Sequence, residues 1–553
     1  MAPFPEYRHH HDSLGEIIGL ARGDDVVQFR GLPFADIPGR FRQSQLRESL
    51  PQLPFDARQP GPCCPQPVLP FPPYWDGGIP NDWPVLQEPV QDEFACLNLS
   101  ITVPRVAVET PSSSKLPVLF FIHGGAFVGG SQSIQVAGRE IYDGTELERA
   151  AIARGQPLII VTCNYRVGPL GFLASKELTA FNQALGEPVG NYGLHDQRQA
   201  LEWCAKFIAG FGGDPDNVTI QGTSAGGSSA HYLTTFPRRK FRRAILSSGT
   251  LTGIGPMPVG YHQWRFDKYV ERAGSSSGGT ESDSVLLLQS LPIQDMVRPV
   301  TLDICHPFID GDWIAGQRIS DIKDVYHGDA PELMVGSCDF EADLTEAVMM
   351  DFLTGKALPD SQMLAKASDF FVSNGMVSHI KSFPSGFQDI VAAYKLTGAL
   401  ETPSRALQEW AQLLADIAFR LPALHIALNH TASDVLVYNL RLSNPYPKWA
   451  LSYGKSNHAV NDLFVFNVAQ DQVPEELAVR HAQSVGQIRG AWLDFCYGKQ
   501  PWKPMKRDSS SFGPLFNFEN GPTGREAESL EQAIGAELAS RWRMIMDRVE
   551  QET

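Results

Sequence analysis

Two kinds of hydrophobic pattern alternate through the middle of the chain. LPVLFFIH (116–123) and QPLIIVTCNY (156–165) are near-continuous apolar runs, the pattern of strands covered on both faces of a sheet. DQRQALEWCAKFIAGF (196–211) instead sets Leu201, Ala205, Ile208 and Ala209 at helical spacing and ends in GGDP, where Gly and Pro stop a helix. NVTIQGT (217–223) alternates like a short strand and runs straight into AGGSSAHYL, a helix start of small residues, while ELMVGS (332–337) is a further strand before an acidic loop. This rhythm predicts an α/β fold with a large, mostly parallel central sheet and helices on both faces. No internal repeat and no linker interrupts it, so residues 1–553 read as one domain. The Pro-, Gly- and Trp-rich stretch 59–90 reads as a long ordered surface loop, and GSSSGGTESD (274–283) as a mobile one.

Composition narrows the class. With 43% hydrophobic residues, 20% charged residues and 31 Phe, 14 Tyr and 10 Trp, the chain has the make-up of a globular protein with a deep core. A net charge of -16 leaves no basic face for nucleic acid. The N-terminus lacks the cationic start and apolar core of a secretory signal, and no uncharged run approaches the ~18 residues of a membrane span. The chain as it stands is therefore expected in the cytoplasm, or outside the cell if a leader has been removed. Eight scattered cysteines without CxxC pairs suggest neither a metal site nor a disulfide scaffold.

The candidate chemistry lies in QGTSAGGSSA (221–230). A Gly-x-Ser-x-Gly match alone is weak, since Gly/Ser loops are common. Here it falls between a strand and a helix, where the chain must turn sharply and expose the Ser224 hydroxyl. Gly222 and Gly226 would remove side chains that collide in such a turn, and the helix that follows aims N–H groups at any oxyanion formed there. IHGGAFVGG (122–130) also follows a buried strand. It lacks the endings of nucleotide-binding loops, and Gly124 and Gly125 would let backbone N–H groups approach a substrate oxygen, joined by the N–H of Ala225.

At this point the chain resembles the type-B carboxylesterases, the group that includes cholinesterases and several fungal lipases. The matching stretches are FRGLPFA (29–35), CLNLSITVP (96–104), HGGAF (123–127), NYRVGPLGFL (164–173), GNYGLHDQRQALEW (190–203) and FGGDPDNVTIQGTSAGG (211–227). The resemblance implies the α/β-hydrolase fold and a serine, acid, histidine triad without cofactor or metal. A serine hydroxyl needs a base to take its proton, and the base needs a carboxylate to fix its tautomer. MVGSCDFEADL (334–344) carries the family's Gly with a Glu five residues later, which selects Glu341 over its neighbours Asp339 and Asp343. WALSYGKSNHAVNDLFVFN (449–467) resembles the family's histidine loop and selects His458 from 14 histidines.

Departures from the family pattern bear on specificity. Thr223 stands where many relatives carry Glu, so the charge that favours a cationic choline ester is missing. Phe94 and Ala95 stand where the family reads Glu-Asp before Cys96, leaving its usual Arg–carboxylate pair in question, with Asp92 and Glu93 close by. The resemblance maps a disulfide onto Cys64 and Cys96, against which stands the reading of two reduced thiols. The N-x-S/T triplets at Asn98, Asn217 and Asn429 decide nothing about compartment. By the same resemblance Trp75, Trp83, Phe127 and Tyr453 line an aromatic acyl pocket, or simply pack the fold.

The expected function is a serine carboxylesterase acting on small to medium uncharged hydrophobic esters, its partner a small-molecule ester. A pathway-specific thioesterase, acyltransferase or product-releasing hydrolase would use the same triad, and a non-catalytic binding protein would lack it. Oligomeric state is not legible.

Overall fold

The computed structural model describes residues 4–67, 90–111, 113, 115–136, 139–236, 238–274, 281–298, 305–316, 330–343, 394, 411–413, 415–430, 434–447, 452–505 and 512–551. The chain divides into two compact units: Met1–Leu69 with Pro84–Ala244 and Pro256–Gly316, and Pro70–Trp83 with Ile245–Gly255 and Gln317–Thr553. The strand Arg243–Ser247 carries the chain from the first unit to the second.

In the first unit the sheet runs in the order Glu6–His11, Gly15–Ala21, Val26–Pro33, Asn98–Pro104, Ile159–Cys163, Leu116–Ile122, Gly213–Thr223. The first four strands and their junction with Ile159–Cys163 are antiparallel. The last three are parallel, with Val161 opposite Phe120 and Ile220 opposite the same Phe120. Every residue of Ile159–Cys163 is buried, as is Leu116–Ile122 after its first residue, which is why these strands read as unbroken apolar runs. The antiparallel N-terminal strands did not show in that pattern. In Glu6–His11 the inward positions are His9 and His11, so the period of two is present but is carried by polar side chains.

The second unit holds Glu332–Cys338, Val435–Leu440 and Leu515–Phe518 in parallel, closed by the antiparallel strand Arg525–Ala527. Helices Leu421–Asn429, Val460–Val465, Glu475–Cys496 and Ala536–Gln551 accompany them. Each sheet is thus mixed, with a set of parallel strands and antiparallel pairing at one end.

Two boundaries differ from expectation. The helix expected at 196–211 begins at Tyr192 and ends at Phe207, followed by a 3-10 turn Ile208–Phe211. Gly193 is admitted inside it because a Cβ there would run into the Arg166 carbonyl and the Phe172 ring. In the loop expected at 274–283, a helix already begins at Glu281. Among the described residues one helical run, Ala411–Asn429, is long and apolar enough to cross a membrane by length and composition, but 82% of its most apolar stretch is buried inside the protein.

Candidate active site

Ser224 sits between the strand Gly213–Thr223 and the ten-residue helix Ala225–Thr234, with φ 60° and ψ -126°. A non-glycine residue held there costs on the order of 1–3 kcal/mol and persists only where its surroundings over-determine it. The surroundings do so. A Cβ on Gly222 would overlap the backbone of Gly226, and one on Gly226 would overlap the carbonyl of Ile122. Only glycine fits either place, and Ser224 is left partly exposed among buried neighbours.

The loop after Leu116–Ile122 lies directly against this turn: a Cβ on Gly124 would stand 2.6 Å from the Thr223 carbonyl oxygen and 3.1 Å from Ser224 Cβ. Ala126 and Phe127 both have positive φ, 53° and 59°. The loop is tied in several directions, through Val128 N–H and Gly129 N–H to the Gly125 carbonyl at 2.9 and 3.1 Å and Gly168 N–H to the Phe127 carbonyl at 2.6 Å. His123 Nδ1 lies 2.9 Å from the Gly124 carbonyl oxygen. A carbonyl only accepts, so Nδ1 carries the proton. The ring stacks on Tyr165 at 4.3 Å, and Tyr165 in turn donates to the His123 carbonyl at 2.9 Å. Burial drives the His123 pKa down to about 4, keeping the ring neutral.

In the second unit the strand Glu332–Cys338 ends beside the acidic loop. Glu341 is fully buried, accepts the Cys338 N–H at 2.7 Å through one oxygen and meets His458 Nδ1 at 2.6 Å through the other. Phe340 N–H donates to the Ser456 carbonyl at 2.9 Å, and Phe340 pairs with Asn457 as a parallel bridge. The acid loop and the histidine loop are thereby held in register. The rivals have other partners: Asp339, 46% exposed, faces Arg441 at 3.4 Å, and Asp343 accepts the backbone N–H of His458 at 3.1 Å.

Burial opposes protonation of His458, but Glu341, then Asp343 and Asp462, outweigh it, and its pKa is raised above the ordinary 6.5. Its Nε2 is buried and without a hydrogen-bond partner among the described residues, an arrangement that natural structures seldom tolerate without a use for the group. Phe419 packs on the imidazole at 4.7 Å. It projects from the π-helical turn Asp416–Arg420, and no motif in the sequence pointed to it.

Of the expected pocket residues, Phe127 is buried with its ring 4.5 Å from Phe172, and Tyr453 is 42% exposed. Trp75 and Trp83 lie outside the described residues. Cys64 and Cys96 are buried free thiols; a hydrogen bond from the Cys96 thiol to Cys64, with burial, pushes the Cys96 pKa up. Asn98 is buried, and its amide donates to the Pro62 carbonyl at 2.7 Å, which leaves it no room for a glycan. The Arg–carboxylate pair in question exists through a different residue: Arg40 binds Glu93 by two hydrogen bonds of 2.6 and 2.7 Å. A second bidentate pair, Arg166 with Asp196, is buried as well. Among the described residues no group of His, Cys, Asp and Glu could hold a metal ion.

Comparison with known proteins establishes the family and the fold. Lipase 3 of Yarrowia lipolytica is 28% identical over 498 residues, covering 89% of this chain and 88% of the lipase. Bile salt-activated lipase of Homo sapiens is 27% identical over 488 residues, which span 82% of this chain but only 57% of that protein. The crystal structure of a carboxylesterase from Geobacillus stearothermophilus matches with a TM-score of 0.71 at 23% identity, covering 97% of this chain and 99% of its own; the shared architecture is the α/β-hydrolase fold. The carboxylesterase family model matches residues 11–520, so the chain belongs to the carboxylesterase family and is a carboxylic ester hydrolase.

Proposed function

We propose that the chain hydrolyses esters by a serine mechanism in which Ser224 is the nucleophile, His458 the general base and Glu341 its orienting acid, working together in one catalytic domain. The observation that carries the reading is the Glu341–His458 contact at 2.6 Å, which engages Nδ1 and leaves Nε2 free for a proton. Ser224 Oγ attacks the ester carbonyl carbon and its proton goes to His458 Nε2. The N–H groups of Gly124, Gly125 and Ala225 stabilise the tetrahedral oxyanion, the protonated imidazole gives its proton to the leaving alcohol, and an acyl-enzyme forms. Water then repeats the sequence, with His458 again as base.

The preferred substrates are small to medium uncharged hydrophobic esters. The lipase names of the relatives support a hydrophobic acyl group, and Thr223 in place of a carboxylate removes the charge that would favour a choline ester. An ester panel varying acyl length and alcohol size, run beside Ser224→Ala, tests both statements. The variant should lose essentially all activity and all labelling by a fluorophosphonate while keeping its fold by circular dichroism. Undiminished labelling overturns the nucleophile, and a large preference for a choline ester over its uncharged isostere overturns the specificity.

A further inference from the structure

We propose that Gln66 is a positioning residue of the oxyanion hole: its side-chain amide clasps Gly130 and thereby fixes the Gly124–Gly125 peptide. This deepens the serine-hydrolase reading and rests on it. Gln66 Oε1 accepts the Gly130 N–H at 2.7 Å, and Nε2 donates to the carbonyls of Gly130 at 3.0 Å and Cys64 at 3.1 Å. Both Nε2 protons and the amide oxygen are therefore engaged. The pairing copies a two-bond strand contact, and a primary amide supplies the donor and the acceptor side by side whatever the pH, where a carboxylate supplies acceptors only.

The clasp reaches the oxyanion site through contacts that leave no slack. Gly130, at φ +103°, lies so close to the first turn of the loop that a Cβ would overlap the Gly124 carbonyl oxygen and stand 2.8 Å from His123 Nδ1. A Cβ on Gly125 would likewise overlap the Gly129 carbonyl. Residues 129–130 therefore form a strap across the back of residues 124–125. The Gly124 carbonyl and the Gly125 N–H belong to one planar trans peptide and point in opposite directions. Holding the carbonyl end, with His123 on one side and the strap on the other, aims the N–H. Releasing the strap lets that peptide rock, and the loss falls on the transition state, where the oxygen carries charge, rather than on the bound ester.

The test uses the full chain with Gln66→Met, which keeps the length and removes the amide, and Gln66→Glu, which keeps an acceptor for Gly130 but sets a carboxylate against two carbonyls. For Gln66→Met, kcat should fall about tenfold with KM nearly unchanged, as expected for a small misplacement of a catalytic group, and Gln66→Glu should lose at least as much. Affinity for a reversible trifluoromethyl ketone, whose serine adduct carries the oxyanion, should fall by the same factor, while affinity for the matching alcohol should not. Amide hydrogen exchange at Gly130 should speed up in Gln66→Met, which alone removes the acceptor of its N–H. Wild-type kcat and ketone affinity in a folded variant, or equal losses for ketone and alcohol, overturn the clasp. Ser224→Ala measured in parallel separates the two ideas: activity lost there but unaffected by Gln66 rejects the clasp alone, and activity retained there rejects the serine reading on which the clasp depends.

Discussion

The surroundings of Ser224 and those of His458 are built by different means. Around Ser224 the geometry is a backbone matter: a strained φ of 60°, glycines at 222, 226, 124 and 125 that no larger residue could replace, and hydrogen bonds between main-chain groups. Around His458 it is a matter of charge and burial, with Glu341, Asp343 and Asp462 acting on one imidazole. Steric geometry of the first kind fails all at once when a single atom is added. Electrostatics of the second kind is shared among several groups, so each change should shift a titration as well as a rate.

Three substitutions probe that contrast. Gly226→Ala adds one carbon where the Ile122 carbonyl already stands. It should destabilise the fold by about 1–3 kcal/mol or more and, by moving the turn, reduce kcat/KM ~100-fold or more, measured by thermal melting and ester hydrolysis. It should also remove fluorophosphonate labelling along with hydrolysis. A fully active Gly226→Ala would show the turn to be softer than its packing implies.

Glu341→Gln leaves the shape of the second region intact and removes its charge. Replacement of a triad acid by its amide costs on the order of 10⁴ in kcat, and a comparable loss is expected here. The titration gives the sharper reading. Hydrolysis needs neutral His458, and the raised pKa places the acid limb of the wild-type kcat/KM profile above the ordinary imidazole value of 6.5. Without the Glu341 charge that limb should move to lower pH. The stability linkage has the matching sign: the His458–Glu341 pair stabilises the fold below the unfolded imidazole pKa, and that contribution is lost as pH rises through the raised folded value. A limb that stays in place would mean Glu341 does not set the titration.

Asp339→Asn should do least. Its side chain is 46% exposed and meets Arg441 at 3.4 Å, a surface pair worth roughly 0–1 kcal/mol. Activity and acid limb should both match wild type, and a loss on the scale of Glu341→Gln would reverse the choice between the two acids.

The contrast also explains what was legible in the sequence. A site made of backbone shows itself as glycines at fixed spacing, because steric exclusion acts on the sequence position by position; the turn at Ser224 and the loop at Gly124 could be read directly. A site made of charge does not, since any of three acids in CDFEADL (338–344) could serve until the strand ending at Cys338 sets the register. Glu341 and His458 came from resemblance rather than from pattern. Phe419 gave no signal, because an aromatic residue in an apolar helix looks like core whether or not it touches a histidine. The strand Glu6–His11 escaped because its inward side chains are histidines. Burial drives the His9 pKa down to about 4 and lowers that of His11, so both are held neutral.

The brace between Arg40 and Glu93 carries a consequence for how such chains diverge. Arg40 holds Glu93 with two of its nitrogens and reaches the carbonyls of Leu288 and Leu291 with the third, at 2.6 and 2.8 Å. A guanidinium recognises a carboxylate by where it stands in space and is indifferent to which residue along the loop supplies it. The acid can therefore drift along the chain before Cys96 while the knot it ties stays closed. A motif written as a fixed string misses a carboxylate that reaches the same guanidinium from a neighbouring place along the loop.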